Sequence, residues 1–127
     1  MMETRPAISL VIPVYNEAES LSELHAALTA TLLPYAERCE MIFVDDGSAD
    51  GSFQRLGALR EKDKRVTVVR LRSNQGKATA LAAGFREAKG EIIVTLDADL
   101  QDDPKEIPRF LQKLEEGYDL ISGWKVT

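Results

Sequence analysis

Cysteine, histidine and long apolar runs are scarce in this chain, and each shortage removes a class of function. Cys39 is the only cysteine, so no intrachain disulfide can form and no zinc site can be assembled from thiolates. Its expected role is a small, partly buried apolar side chain. His25 is the only histidine and falls in the middle of a helical pattern, which suits a surface or boundary residue better than a catalyst. No apolar stretch approaches the roughly 18 residues needed to cross a bilayer. The opening MMETRPAIS has no signal-peptide h-region, and a reducing, cytoplasmic setting is the expectation. No G-x-G-x-x-G follows the first strand pattern, which argues against a dinucleotide site. Gly76-Lys77-Ala78-Thr79 hints at a P-loop, but Leu71 stands where the first glycine belongs and Ala78 where Ser or Thr is required.

What remains is the composition of one globular domain. The chain has 127 residues, 44% hydrophobic and 29% charged, enough for a single core and too apolar for disorder. A net charge of -5 argues against nucleic acid as the main partner, since phosphate backbones require a basic surface. The charge is uneven: residues 60–77 carry seven Lys/Arg against Glu61 and Asp63. Arg60 to Arg65 read as a solvated helix end and loop, whereas Arg70, Arg72 and Lys77 fall nearer the polar clusters described next.

There is no internal repeat, low-complexity tract or linker. Short β-rich runs (Ile8 to Val14, Met41 to Val44, Val66 to Leu71, Ile92 to Leu96 and, weakly, Leu120 to Ser122) alternate with segments of helical period. Leu21, Leu24, Leu28 and Leu32 share one face, after an Asn16-x-x-Glu19 start resembling a capping box. Phe53, Leu56 and Leu59 repeat the pattern. Ala78, Leu81, Ala82 and Phe85 form a third stripe, with Gly90 as the stop. Ile107, Phe110, Leu111 and Leu114 form a fourth, after Asp103-Pro104, with Pro108 early in it. Strand–helix alternation with continuously apolar strands predicts an α/β, Rossmann-like three-layer sandwich around a mainly parallel sheet. In such sheets ligands sit outside the carboxyl ends of the strands.

Polar clusters stand at those ends. Pro13-Val14-Tyr15-Asn16-Glu17 follows the first strand, Asp45-Asp46-Gly47-Ser48 the second, Ser73-Asn74-Gln75-Gly76-Lys77 the third and Asp97-Ala98-Asp99-Leu100-Gln101 the fourth. Turn chemistry accounts for Gly47, Ser48, Asp50 and Gly51, with Asp50 capping the second helix. Asp102 and Asp103 suit a helix dipole. Strand alternation turns Asp45 and Asp46 opposite ways. Asp97 and Asp99, with Gln101 as a neutral oxygen, form an oxygen-only set suited to Mg²⁺ or Mn²⁺ shared with phosphates and water.

Together, VIPVYNE, VDDGSADGS, SNQGKATALAAGF and TLDADLQDDP resemble family 2 glycosyltransferases of GT-A fold. The resemblance is closest to the branch of dolichol-phosphate mannose synthases and undecaprenyl-phosphate sugar transferases. It covers nearly the whole chain and makes Asp97-Ala98-Asp99 the Asp-x-Asp motif. It implies a metal-dependent, inverting transfer of sugar from a UDP- or GDP-linked donor, with polyprenyl phosphate as acceptor, at the cytoplasmic face of a membrane. By position, Pro13, Tyr15 and Glu17 would line the nucleotide pocket and Asp46 would hydrogen-bond the base. Gln75, Gly76 and Lys77 would lie close to the donor, with Lys77 offsetting phosphate charge. Asp97 would face the ribose and metal shell, with Ala98 beside it, while Asp99 and Gln101 would hold the cation. No catalytic base is assigned.

Members of that branch continue well beyond Ser122-Gly123-Trp124-Lys125. Residues 1–127 are therefore expected to be an N-terminal donor-binding part, incomplete at its C-terminus, inactive alone and prone to self-association at an uncovered sheet edge. Two other classes compete. A phosphoacceptor receiver domain is also doubly wound and Mg²⁺-binding, but its acid pair follows the first strand, where this chain has Tyr15-Asn16-Glu17. A non-catalytic nucleotide-binding module is the other.

Overall fold

The computed structural model describes residues 8–35 and 38–98. In chain order these form β1 (Ile8–Val14), α1 (Leu21–Thr31), a 3-10 turn (Leu33–Tyr35), β2 (Cys39–Asp45), α2 (Ser52–Lys62), β3 (Val66–Arg70), α3 (Lys77–Glu87) and β4 (Ile92–Thr95). The four strands pair in parallel, in the order β3-β2-β1-β4. That order differs from the 2-1-3 start of a receiver-type sheet and follows the Rossmann pattern, with its reversal between β1 and β4. The expected strand at Leu120 to Ser122, the fourth helix with Pro108, and the Asp102–Asp103 cap lie outside the described residues. Among the described residues no helix is long and apolar enough to cross a membrane.

Alternation along the strands creates the layers. Ile8, Leu10, Ile12 and Val14 of β1, with Met41 and Phe43 of β2, pack against Leu21, Leu24 and Leu28 of α1 and Leu56 and Leu59 of α2. The intervening Val11, Ile42 and Val44 face α3 through Ala80, Leu81 and Ala83. Helices therefore cover both faces, as the continuous apolar strands require.

Three local expectations are corrected. The capping box at Asn16 and Glu19 is not formed: α1 starts at Leu21, after Ser20. Asn16 instead takes a left-handed φ of 54° in the preceding loop, a conformation that asparagine tolerates better than most side chains. The buried face of α3 comprises Ala80, Leu81, Ala83 and Gly84, not the Ala78–Ala82–Phe85 stripe, and Phe85 is exposed. Small residues win that face because the helix lies close on the sheet: a Cβ on Gly84 would overlap Val11 Cγ1 and sit 3.2 Å from Val44 Cγ2. Gly90 does not cap α3, which ends at Glu87. It allows close approach to β1, where its N–H donates to Ser9 Oγ at 2.7 Å and a Cβ would meet Ser9 N at 2.8 Å.

At the amino ends of the strands a polar cluster joins α1, α2, β2 and β3. Asp63, just after α2, accepts from Arg65 Nε at 2.9 Å and Nη2 at 2.8 Å, and pairs with His25 Nε2 of α1 at 2.9 Å. His25 is thus a boundary residue, as expected. Arg65 is held in this cluster and departs from the solvated end that Arg60, Lys62 and Lys64 form. Cys39 is buried, with Arg65 Nη1 3.8 Å from its Sγ, and burial raises its thiol pKa. The Arg65 hydrogen bonds hold the Asp63 carboxyl well below the usual carboxylate range, against the opposing effect of burial.

Gly57 in mid-α2 has open space where a Cβ would point, so Gly57→Ala should gain helix propensity, about 0.5–1 kcal/mol. Gly84→Ala gains the same propensity but overpacks against Val11, at a cost of about 1–3 kcal/mol. Urea midpoints should order as Gly57→Ala, parent, Gly84→Ala; a Gly84→Ala midpoint above the parent's would contradict the close helix–sheet contact. Asp63, with its folded-state pKa depressed, contributes stability that is full above the unfolded value of about 3.9. This contribution is lost as pH falls through the folded value. Asp63→Asn should therefore destabilise the chain at neutral pH, by a margin that narrows in unfolding curves taken from pH 5 down to pH 2. A margin independent of pH would remove the carboxylate from the account.

Candidate functional site

The site arises where β1 outruns β4. The β1–β4 register ends at Val11 and Thr95, while Ile12, Pro13 and Val14 continue beside β2 alone. This leaves a crevice at the reversal in strand order, outside the carboxyl ends, where ligands of open α/β sheets bind. A cavity of about 300 Å³ occupies it.

The loops after β2 and β3 contribute Asp46, Asn74 and Gly76 to its lining. Gly47, at φ +75°, lets the turn after β2 press against the loop after β3: a Cβ there would lie 2.5 Å from Ser73 C and Asn74 N. Asp45 and Asp46 diverge as alternation requires. Asp45 is fully buried on the α2 side, where its Oδ1 accepts from Ser48 N at 3.2 Å. Its Oδ2 lies 3.9 Å from Arg70 Nε, and the Arg70 guanidinium stacks on Phe53 at 4.1 Å. Asp46 faces the α3 side and is 4% exposed. Its Oδ1 accepts from Gln75 N at 2.7 Å, and its Oδ2 from Gly76 N and Asn74 Nδ2, both at 3.0 Å. Burial of a carboxylate is costly unless donors replace water; here three do, and they set the path of residues 74–76 into α3.

The loop between β1 and α1 is tied to the one between β2 and α2. Asn16 N donates to Ser48 Oγ at 2.9 Å, Ala49 N to Asn16 Oδ1 at 2.9 Å, and Glu17 N to Ser52 Oγ at 3.0 Å. Asp50 joins them, accepting from Ala18 N at 3.2 Å and from Ser52 N at 3.0 Å. It thereby serves the start of α2 from one residue outside the Gly51 cap. Ser48 and Asp50, expected to be turn chemistry alone, also help to position Tyr15 and Glu17. Ser20 Oγ donates to Ala98 O at 2.7 Å, anchoring the acidic segment after β4 to the start of α1.

Of the residues singled out in the sequence, Pro13, Tyr15, Glu17 and Asp46 line the cavity, as do Gly76, Lys77, Asp97 and Ala98. Tyr15 is 49% exposed, an aromatic face open at the rim. Lys77, the first residue of α3, places Nζ 2.7 Å from Asp97 Oδ1. Gln75 does not line the cavity; its N–H goes to Asp46 and its Nε2 to Ser73 Oγ at 2.7 Å. Val14 and Asn74 line it without having been singled out. Asn74 carries no signal of its own, because its place depends on a side-chain bond to Asp46. Arg70 and Arg72 border a separate cavity of about 310 Å³ with Gly47 and Ser48, so only Lys77 of the basic segment reaches the main one.

Asp99 and Gln101 lie outside the described residues. Among the described residues no three His, Cys, Asp or Glu side chains converge as a metal cage. Asp97 alone, an oxygen donor at the rim of an open cavity, fits a hard cation held by few carboxylates and completed by phosphate and water.

The model for glycosyl transferase family 2 matches residues 9–127. The chain belongs to glycosyl transferase family 2. A relative of this family 2 chain, the undecaprenyl-phosphate 4-deoxy-4-formamido-L-arabinose transferase of Yersinia pestis (strain Pestoides F), is 45% identical over 115 residues, 90% of this chain and 35% of its own length. The family 2 chain thus spans about a third of the length of the curated relatives it matches. Among solved structures it is similar to the Pyrobaculum calidifontis mannosyltransferase PcManGT in complex with GDP-Man and Mn²⁺. That likeness has 33% identity and a TM-score of 0.68 over 75% of this chain and 28% of the other. S. aureus TarS 1-349 in complex with UDP-GlcNAc aligns with 25% identity and a TM-score of 0.72, over 86% of this chain and 31% of that one. The expected branch and the GT-A arrangement are borne out.

If Asp46 organises the loop of this family 2 chain, Asp46→Ala should free two amides. Hydrogen exchange at Gln75 and Gly76 should speed by about tenfold or more, for the loss of charge-assisted bonds, while amides in β1 and β2 keep their protection. Unchanged exchange at both positions would separate Asp46 from the loop.

Proposed function

We propose that the protein transfers a sugar from a nucleoside-diphosphate donor to polyprenyl phosphate, with inversion and with a divalent cation, and that residues 8–98 carry much of the donor side. The observation that carries this reading is the convergence of Tyr15, Asp46, Lys77 and Asp97 on one crevice at the strand-order reversal of a family 2 chain. The undecaprenyl-phosphate substrate in the relatives' name supports the acceptor class. The GDP-Man and Mn²⁺ of PcManGT and the UDP-GlcNAc of TarS support the donor class and the metal.

Tyr15 offers an exposed ring on which a base can stack. Asp46 bears on which base. A carboxylate has about four lone-pair directions, and three are used by Gln75, Gly76 and Asn74. The one left on Oδ1 suits a base edge with a single N–H between carbonyls, as in uracil. Guanine presents two adjacent donors and calls for both oxygens. UDP is therefore the preferred nucleotide. A cation held by Asp97, Asp99 and Gln101 would neutralise charge on the departing diphosphate. A phosphomonoester acceptor, with a second pKa of about 6, is already anionic at neutral pH and attacks with little help from a base. Its oxygen bonds to the anomeric carbon as the bond to the diphosphate breaks, the electron pair leaving with the nucleoside diphosphate.

Calorimetry tests the reading. UDP should bind with Mn²⁺ present at least about tenfold more tightly than GDP, for the guanine donor left unpaired, and Asp99→Asn should abolish the metal dependence. Equal UDP binding with Mn²⁺ and with a chelator would refute the metal–diphosphate site. Preference for GDP would refute the base assignment alone.

A further inference from the structure

We propose that Lys77 is an internal competitor for the cation site: its ammonium holds Asp97 until a nucleoside diphosphate draws it away, so that the metal loads weakly alone and better together with nucleotide. This inference rests on the donor-site reading above and adds to it an order of binding.

The pair spans the crevice, from the first residue of α3 to the segment after β4, with Nζ 2.7 Å from Asp97 Oδ1. Helix stability does not account for it. A cation in the first turn of a helix opposes the macrodipole, whose positive end lies there. Lys77 is badly placed for α3 and well placed for Asp97. Nor is the pair a strong clamp, since the two side chains are 45% and 23% exposed and ion pairs this open are weak. The ammonium can therefore leave at little cost.

The backbone beneath Lys77 is held. Gly76 has φ +98°, and its N–H, with that of Gln75, goes to the buried Asp46 carboxylate. Rearrangement thus falls to the Lys77 side chain. A hard divalent cation needs a carboxylate oxygen at about 2.0–2.1 Å. An ammonium already bonded to Oδ1 would lie within a few ångströms of a cation taking that oxygen, and two like charges at that spacing repel strongly. Lys77 must move before the cation can use Asp97 fully. A diphosphate entering the same cavity supplies the anionic oxygens that receive the displaced ammonium. Metal without nucleotide has to expel Lys77 into solvent; metal with nucleotide relocates it onto phosphate.

The experiment measures Mn²⁺ binding to the full chain by the EPR signal of free Mn²⁺, with and without UDP. The parent should bind Mn²⁺ weakly alone and markedly better with UDP. Lys77→Gln should tighten Mn²⁺ binding in the absence of nucleotide by about tenfold, the effect of removing a like charge near a carboxylate that stays partly solvated. It should also weaken UDP binding at saturating Mn²⁺. Lys77→Arg, which keeps the charge, should restore the parental pattern, separating charge from packing. Nucleotide-free Mn²⁺ affinity that is unchanged or weaker in Lys77→Gln overturns the proposal while leaving the donor site standing, provided UDP and Mn²⁺ still bind together. If UDP and Mn²⁺ fail to bind together in the parent and in both variants, the donor-site reading and this inference fall together.

Discussion

The buried carboxylate of Asp46 is the interaction on which the rest of the site depends. A carboxylate at 4% exposure is tolerable only with its oxygens matched by donors, and Asn74, Gln75 and Gly76 provide them. The matching runs both ways. Removing the carboxylate would orphan two backbone amides, and displacing the loop would strand a buried charge. Since α3 begins at the next residue, the solvation of one acid sets where the helix starts and therefore where Lys77 stands opposite Asp97.

Sheet alternation divides the labour around this acid. Asp45 and Asp46 are neighbours in sequence but belong to different faces. Asp45 lies under Arg70 and Phe53 on the α2 side, while Asp46 joins Lys77 and Asp97 on the α3 side. One face of the sheet ends in packing and the other at the crevice. Hydrogen bonds between the first two loops, through Asn16, Ser48, Asp50 and Ser52, hold the exposed Tyr15 at the rim between them.

Much of this was legible in the sequence because the signals are local. The apolar run Ile8 to Val14 coincides with β1, and Leu21, Leu24, Leu28 and Leu32 are all fully buried. The strand-end rule places Pro13, Tyr15, Glu17, Asp46, Lys77 and Asp97 at one rim, and all of them line the cavity. The features that were not legible depend on how closely elements approach one another. Hydropathy favours Phe85 over Gly84 as a buried residue of α3, yet proximity to Val11 selects the residue without a side chain. Asn74 and Gln75 look alike in a turn, and only the position of Asp46 decides that one faces the cavity while the other gives it a backbone amide. The helix start after Asn16 was misplaced for the same reason: its side chain is engaged by Ala49, in a different loop.

The seating of α3 also governs timescale. The helix is pinned before its first residue by Asp46 and in its middle by the contact of Gly84 with Val11. Beyond its end it is pinned by Lys89 N on Glu40 and Gly90 N on Ser9. A helix fixed at three points along its length offers little hinge or slide, and motions of that kind belong to microseconds and slower. What can move at its start is the Lys77 side chain, whose ion pair with Asp97 is open to solvent and weak, and rotamer changes of exposed side chains take picoseconds to nanoseconds. Charge can thus be redistributed inside the crevice on the schedule of a side chain while the framework around it holds still.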